Sequence, residues 1–295
     1  MVEEQSFGEL NGHAVGIIMK ELVSRAIAAI QERRFIFQSE EKESDYKSDT
    51  DFVTDADFRA QEIYVKSLIE CFPDFGIVAE EKNLKKEPAS GIDAWFTIDP
   101  LDGTKAFTRT ASSGIGTMVS LVVNGQIAAA YIGDVMTGEI YGFRPGSEKT
   151  NRISRPHGAF NLSDKFDKKS PAEKYAVYRG LPSSFSKTLS PLLKPGGFFK
   201  DAIVDNGSIG ITFTRLWKGE VSGVFLKNFV ETPWDLCPVL GISERLGYHF
   251  IDIGKSADTF KIDPFTPSKE NQKPIGDVAV IREDYIPSLK TALYS

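Results

Sequence analysis

Only Asn124-Gly125 separates the apolar runs Thr117–Val123 and Gln126–Ile132. Asn-Gly takes the positive φ values of a type I′ turn, so the two runs are predicted to fold back on each other as antiparallel strands. Thr137-Gly138 supplies a further turn before Ile140–Phe143, which extends the same sheet. Upstream, Val15, Ile18, Leu22, Val23, Ala26, Ile27 and Ile30 recur at three- and four-residue spacing and predict a helix from about Gly12 to Phe37. Thr54 with Asp57 three residues on is a capping-box pattern, opening a second helix through Ile63 and Leu68 to about Cys71. Between them, the charged stretch from Glu40 to Asp51 reads as an exposed flap or hairpin. Gly76–Ala79 is a short strand ending at Glu80, and the Lys- and Glu-rich 82–90 segment reads as a loop. The first half is therefore expected to be α+β.

From Arg144 to about Lys174 the chain turns polar, and this stretch reads as the connection between two halves, 1–150 and 151–295. Beyond it, strand and helix alternate: strand Tyr175–Tyr178, helix Ser208–Lys218, strand Val221–Leu226, helix Trp234–Leu246, then strands Tyr248–Ile253 and Val278–Ile281. Such alternation favours a partly parallel α/β sheet. The expected arrangement is one compact unit with its functional site between the halves.

With 295 residues there is ample material for a core, and the net charge of −6 argues against a nucleic-acid polymer or an anionic membrane as partner. No apolar run approaches the roughly 20 residues that span a bilayer. The acidic start Met1-Val2-Glu3-Glu4 lacks the pattern of a signal peptide. Two cysteines, Cys71 and Cys237, form no disulfide framework, and a cytoplasmic setting is expected. His13, His157 and His249 are scattered, which disfavours a zinc site or a His-based nucleophilic triad.

Carboxylates at strand ends and helix starts carry the chemistry. The run Ala94-Trp95-Phe96-Thr97-Ile98 ends in Asp99-Pro100-Leu101-Asp102-Gly103-Thr104. Glu80-Glu81 precedes it, Asp235 follows far downstream, and Asp51 and Asp57 flank a helix start. Carboxylate and carbonyl oxygens suit Mg²⁺ or Mn²⁺. Such a cluster would repel itself severely unless cations neutralised it.

On these residues the chain resembles the inositol monophosphatase superfamily, metal-dependent and lithium-sensitive phosphomonoesterases. The motifs are Gly76-Ile77-Val78-Ala79-Glu80-Glu81, then Trp95 through Thr104, then Pro233-Trp234-Asp235. A fourth, Lys47-Ser48-Asp49 with Asp51-Phe52-Val53-Thr54-Asp55-Ala56-Asp57, precedes the second helix. The resemblance implies a layered α/β/α/β sandwich that hydrolyses a small phosphomonoester by attack of an activated water. It implies that Glu80, Asp99, the Leu101 carbonyl, Asp102 and Asp235 hold two or three Mg²⁺ ions. Thr104, with its hydroxyl near Glu80 and Asp51, would orient or deprotonate the water, and the Gly103 and Thr104 N–H groups would bind phosphate oxygens. Glu81 stands either as a peripheral ligand or as a solvated loop residue. Gly207-Ser208 matches where relatives contact the substrate body, and a homodimer is expected.

Substrate signals diverge between branches. Inositol-selective relatives carry an acid seven positions before the Trp-Asp aspartate; here that position is Asn228, and Glu231 would replace it only with a loop shift. Inositol monophosphates are thus expected to be poorer substrates than another small phosphomonoester. Lys105-Ala106-Phe107 after Asp-Gly-Thr resembles the bisphosphate-nucleotidase branch, whereas Gly116–Leu121 and Pro-Trp-Asp resemble the histidinol-phosphatase branch. Glu244-Arg245-Leu246-Gly247 departs from the family's usual Glu-Ala-Gly-Gly. The rival reading is a non-enzymatic regulatory relative, which would normally have lost one of Glu80, Asp99, Asp102, Asp235 or Thr104; all are present.

Overall fold

The computed structural model describes residues 7, 10–42, 51–165, 173–189, 192, 197–228 and 231–294. The Lys47-Ser48-Asp49 part of the fourth motif lies outside these described residues. The first half contains α1 (Gly12–Arg33), β1 (Ser39–Lys42), β2 (Asp51–Thr54), α2 (Asp55–Cys71), β3 (Gly76–Ala79), β4 (Leu84–Lys86) and β5 (Ala94–Asp102). It continues with α3 (Thr104–Thr108), β6 (Gly116–Val123), β7 (Gln126–Asp134), β8 (Ile140–Phe143), β9 (Asn151–Ser154) and β10 (Gly158–Asn161). Then follow β11 (Tyr175–Arg179), β12 (Asp201–Val204), α4 (Ile209–Trp217), β13 (Val221–Leu226), α5 (Pro233–Arg245), β14 (Tyr248–Asp252), β15 (Lys261–Ile262), β16 (Val278–Arg282) and α6 (Ile286–Tyr294).

Eight strands form the first sheet in the order β10-β9-β8-β7-β6-β5-β3-β4, antiparallel except where β3 runs beside β5. Asn124-Gly125 closes the β6–β7 hairpin with φ of 50° and 71°, the conformation expected of it. Strand β7 shows how one sheet serves two cores. Ala129 and Tyr131 face α1 and α2, while Ala130 and Ile132 face α4 and the second sheet, because successive side chains alternate. The second sheet has the order β12-β11-β13-β16-β14-β15, parallel across β12-β11-β13 and antiparallel thereafter.

The layers are α1 and α2, the eight-stranded sheet, α4 and α5, and then the six-stranded sheet. Val15, Met19, Tyr64 and Leu68 meet Phe96, Val119 and Leu121 on the outer side of the first sheet. Met118 and Ile132 meet Phe213, Leu240, Val224 and Phe250 between the sheets. Each of these side chains gains roughly 1.5–3 kcal/mol by leaving water. This is the expected α/β/α/β sandwich, with one addition. Leu289 and Leu293 of α6, with Leu189 and Phe199, cover the outer face of the second sheet against Tyr178, Phe225 and Ile281.

Several elements differ from the sequence expectation. The polar connection holds the β9–β10 hairpin, so the first sheet runs past residue 150 to Asn161. The charged 82–90 segment holds β4, an edge strand whose Lys85 side chain is exposed, and edges tolerate such charge. Strand β12, four residues at the sheet edge, and helix α6, nine residues, were not singled out in the sequence. Helix α1 ends at Arg33 rather than Phe37. Phe37 instead lies against Phe107, with ring centroids 5.0 Å apart. The charged stretch begins and ends as the β1–β2 pair; residues 43–50 lie outside the described part.

Candidate functional site

The two aspartates of β5 reach one place because of a β-bulge. Asp99 pairs with Met118 and Asp102 with Gly116, three steps on β5 against two on β6. In a regular strand, residues three apart point to opposite faces; the extra residue resets the alternation. Pro100 sits within the bulge, where its missing N–H is tolerated.

Asp235, at the third position of α5, completes the cluster. Carboxylate oxygens of Asp99, Asp102 and Asp235 all lie within 4.8 Å of one another. Asp99 is 3% exposed and its Oδ1 has no hydrogen-bond partner. Burial, and then the charges of Glu80, Asp102, Asp235 and Asp57, push its carboxyl well above the usual range. Burial and Asp235 push Asp102 up to about 6, opposed by Arg179, Ser208 and the Gly210 amide. Three carboxylates this close, two of them buried, repel one another strongly as anions unless a cation lies among them. Their donor atoms are all hard oxygens, so the residues present fit Mg²⁺ or Mn²⁺.

Glu80 follows β3, and its amide continues the parallel pairing by donating to the Ile98 carbonyl (3.1 Å). Glu81 is 3% exposed, so it is not a solvated loop residue. Its turn is clamped by Gln61, whose amide accepts from Glu81 N and donates to Glu81 O, each at 3.0 Å. Lys82 and Asn83 then take φ of 60° and 46° to reverse the chain.

Thr104 has two hydrogen-bond acceptors within reach of its hydroxyl. Its Oγ1 lies 3.0 Å from the Leu101 carbonyl and 3.2 Å from Asp57 Oδ1. The other oxygen of Asp57 accepts from Thr54 N (2.7 Å) and Thr54 Oγ1 (2.6 Å), closing the predicted capping box. Asp57 thus faces the Thr104 hydroxyl, a partner the sequence reading did not name. The capping pattern of Asp57 was legible, but its second partner lies 47 residues away. Asp51 is the first residue of β2.

Ser208, read in the sequence as a substrate contact, is fully buried. Its hydroxyl donates to Asp102 Oδ2, and the amides of Ile209 and Gly210 donate to Asp102 Oδ1 (3.0 Å) and Oδ2 (2.7 Å). The start of α4 therefore grips the Asp102 carboxylate, as helix N-termini favour anions. Thr232, which precedes α5, donates its hydroxyl to Asp235 Oδ2 (2.6 Å).

Gly103, Gly114 and Gly207 let these segments approach. Gly103 has φ of 90°, and a Cβ there would sit 2.3 Å from the Gly114 carbonyl oxygen; one on Gly207 would sit 2.8 Å from Gly114 Cα. The Gly207 carbonyl accepts from Arg179 Nη1 (2.7 Å), which also reaches Thr212 Oγ1 (3.2 Å). Arg179, at the end of β11, was not singled out in the sequence, because a lone Arg closing an apolar strand carries no local signal.

Asn228 is half-buried, its amide bonded to Asp277 Oδ1 (3.0 Å) and its own Oδ1 unpartnered. Glu231 is 1% exposed, and its backbone is clamped to Gln272 in a two-way bridge. Its Oε1 is also buried and unpartnered. Burial, and then Asp235, push its carboxyl up to about 8, with Arg179 opposing. Of the two candidate substrate acceptors, Glu231 is the one within electrostatic reach of the acidic cluster.

Comparison with known proteins agrees with this geometry. The inositol monophosphatase family pattern matches residues 13–278. A histidinol-phosphatase of Chlorobaculum parvum is 35% identical over 211 residues, covering 68% of this chain and 72% of that protein. Nus factor SuhB of Xylella fastidiosa is 34% identical over 95 residues, 32% of this chain and 33% of that protein. This chain thus spans only a third of that relative. The crystal structure of extragenic suppressor protein suhB from Bartonella henselae shares the fold with a TM-score of 0.68 at 19% identity, over 95% of this chain and 98% of that one. The bulged Asp99-Asp102 pair, the Asp235 helix start and the match over residues 13–278 place this chain in the inositol monophosphatase family.

Proposed function

We propose that this chain is a Mg²⁺-dependent phosphatase that hydrolyses a small phosphomonoester with an activated water. The observation that carries the reading is the Asp99–Asp102–Asp235 cluster, with Asp99 and Asp102 buried, Asp235 half-buried and Asp99 Oδ1 without a partner. Glu80, Asp99, the Leu101 carbonyl, Asp102 and Asp235 would hold the ions. When bound, Mg²⁺ supplies Lewis acidity toward phosphate oxygens and neutralises the carboxylates.

The chain's own residues do the rest. Thr104 Oγ1 donates to Asp57 Oδ1 and so offers its lone pairs to a water proton, orienting that water for in-line attack. The new O–P bond forms as the ester P–O bond breaks; one proton of the attacking water passes through Thr104 to Asp57, the departing alkoxide takes a proton from a solvent water, and Asp57 returns its proton to solvent to close the balance. The Gly103 and Thr104 amides are the proposed donors to phosphate oxygens. Ser208 and the α4 amides hold Asp102 in one orientation throughout, which such a centre requires.

The test is phosphate release from a panel including inositol 1-phosphate, histidinol phosphate and adenosine 3′,5′-bisphosphate. Activity is expected with Mg²⁺, absent in EDTA and inhibited by millimolar Li⁺. Full activity in chelator would overturn the reading. The family resemblance also supports a homodimer, checked by sedimentation. Two unbridged cysteines support a cytoplasmic setting, checked by fractionation.

A further inference from the structure

A cavity of about 190 Å³ lies at the end of α4 remote from the acidic cluster. Its inner lining is apolar: Leu162 and Trp217 are 6% and 2% exposed, and half-buried Phe160 joins them. Its more exposed lining is basic, with Arg152 of β9, His157 of the β9–β10 turn and Lys218, which ends α4. No carboxylate is among the described residues that line it. Ser208, at the other end of α4, holds Asp102, whereas Trp217 is the last of nine helix residues. Roughly 12 Å of helix therefore separates the two ends.

The lining is held in place by its own hydrogen bonds. Trp217 Nε1 donates to Ser243 Oγ (3.0 Å), which leaves the indole only its carbon surface to offer. Leu162 N donates to the Thr150 carbonyl (2.8 Å) at the base of the hairpin, and His157 N closes its turn on the Ser154 carbonyl (3.2 Å). Arg152 gives Nε (3.0 Å) and Nη2 to Glu139 Oε1, while Tyr141 donates to Glu139 Oε2. That leaves Nη1 of Arg152 without a partner among the described residues. Lys218 Nζ lies 3.9 Å from Glu220 Oε2, beyond hydrogen-bond length. The carbonyls at the end of α4 do little to oppose an anion, because they are already engaged. Those of Thr214, Arg215 and Leu216 accept from the amides of Lys218, Glu220 and Gly219, and Leu216 O also accepts from Tyr248.

We infer that this cavity is a second, non-catalytic site that binds a small aromatic carboxylate, with its ring against Trp217 and Leu162 and its carboxylate towards Lys218, His157 and Arg152. An apolar interior under a basic mouth matches a ligand with one apolar end and one anionic end. The faces of Trp217 and Phe160 favour a ring over a flexible chain. The volume is below that of pockets for drug-sized ligands, which limits the occupant to about one substituted ring. No residue of the acidic cluster takes part, so this site stands whether or not the phosphatase reading does. Its occupant is bound beside a substrate and not in its place.

Phenylacetate is the probe, added to the full chain in Mg²⁺ and followed by calorimetry and by tryptophan emission. Saturable binding with a Kd on the order of 0.1–1 mM is expected, and the same affinity after EDTA treatment. 2-Phenylethanol, which lacks the charge, and acetate, which lacks the ring, should each bind at least about 10-fold more weakly. The exposed pair His157→Ala/Lys218→Ala should weaken phenylacetate about 10-fold, whereas Lys218→Arg should retain its affinity. Arg152 stays in place in these variants, because its loss would strand the Glu139 carboxylate. Of the three tryptophans, Trp95, Trp217 and Trp234, only Trp217 lines the cavity. Trp217→Phe should therefore remove most of the emission change while calorimetric binding persists. Absence of saturable binding below about 10 mM would overturn the inference. Loss of binding in EDTA would do the same, since it would put the ligand on a metal centre. Equal affinity for 2-phenylethanol, affinity indifferent to the double substitution, or an emission change that survives Trp217→Phe would each refute it as well.

Discussion

Thr104 Oγ1 lies 3.2 Å from Oδ1 of Asp57, whose other carboxylate oxygen caps helix α2 through Thr54. One buried side chain thereby couples a helix start to the hydroxyl beside the acidic cluster. A capping aspartate ordinarily spends both oxygens on its helix start; here one of them faces the Thr104 hydroxyl instead.

Substitution separates those two roles. Asp57→Asn retains a capping oxygen but loses the charge, and turnover should fall by roughly 10²–10⁴-fold. Thr104→Ala should slow turnover by a similar factor while leaving most metal binding intact, and Thr104→Ser should recover activity. Stopped-flow turnover beside calorimetric Mg²⁺ titration checks this, and near-normal turnover of Thr104→Ala would refute the water-orienting role.

Ser208→Ala tests whether this residue serves the substrate or the Asp102 carboxylate. Removing the hydroxyl takes one of the donors from Asp102 and the cap from α4. Mg²⁺ affinity should drop by about 10- to 100-fold, and stability by about 1 kcal/mol. Substrate KM at saturating Mg²⁺ should change little. A large KM effect with unaltered Mg²⁺ affinity would assign Ser208 to the substrate after all.

Metal-free protein should lose stability as pH rises. Glu231 has its carboxyl pushed up to about 8 and Asp102 to about 6, both above their unfolded values. A raised carboxyl favours folding while protonated in both states, so the contribution is full below about pH 4. It declines as pH climbs to about 6 for Asp102 and about 8 for Glu231. Glu231→Gln should remove the upper part of this decline and raise the Tm of EDTA-treated protein at pH 8, by an amount corresponding to on the order of 3–5 kcal/mol. Thermal melts between pH 5 and 8 measure it; equal slopes for both proteins would contradict the assignment.

Mg²⁺ should reverse the pH effect. A cation among Asp99, Asp102 and Asp235 relieves their mutual repulsion, so saturating Mg²⁺ should raise the Tm more at pH 8 than at pH 5. Asp235→Asn should reduce that shift. A Tm shift independent of pH would show that the ion binds elsewhere.

Legibility in the sequence followed the range of the interactions. Helix α1, the Asn124-Gly125 hairpin and strand β13 rest on periodicity and turn chemistry within a few residues, and the structure has them where those signals lie. The acidic motifs were equally plain, because Asp99 and Asp102 are near neighbours in the chain. Their convergence was not, since it depends on a bulge defined by the pairing of β5 with β6. Strand β12 and the β9–β10 hairpin draw their stability from strands already in place, and α6 from the sheet face it covers. Asp57 towards Thr104, Ser208 towards Asp102 and Arg179 towards Gly207 are decided over separations of 47, 106 and 28 residues. The sequence by itself determined the donor atoms and the family they resemble. Only the tertiary structure decided which oxygens meet, which are left unpaired, and where the cavity beside Trp217 lies, because burial and charge at a point are set by every segment that packs around it.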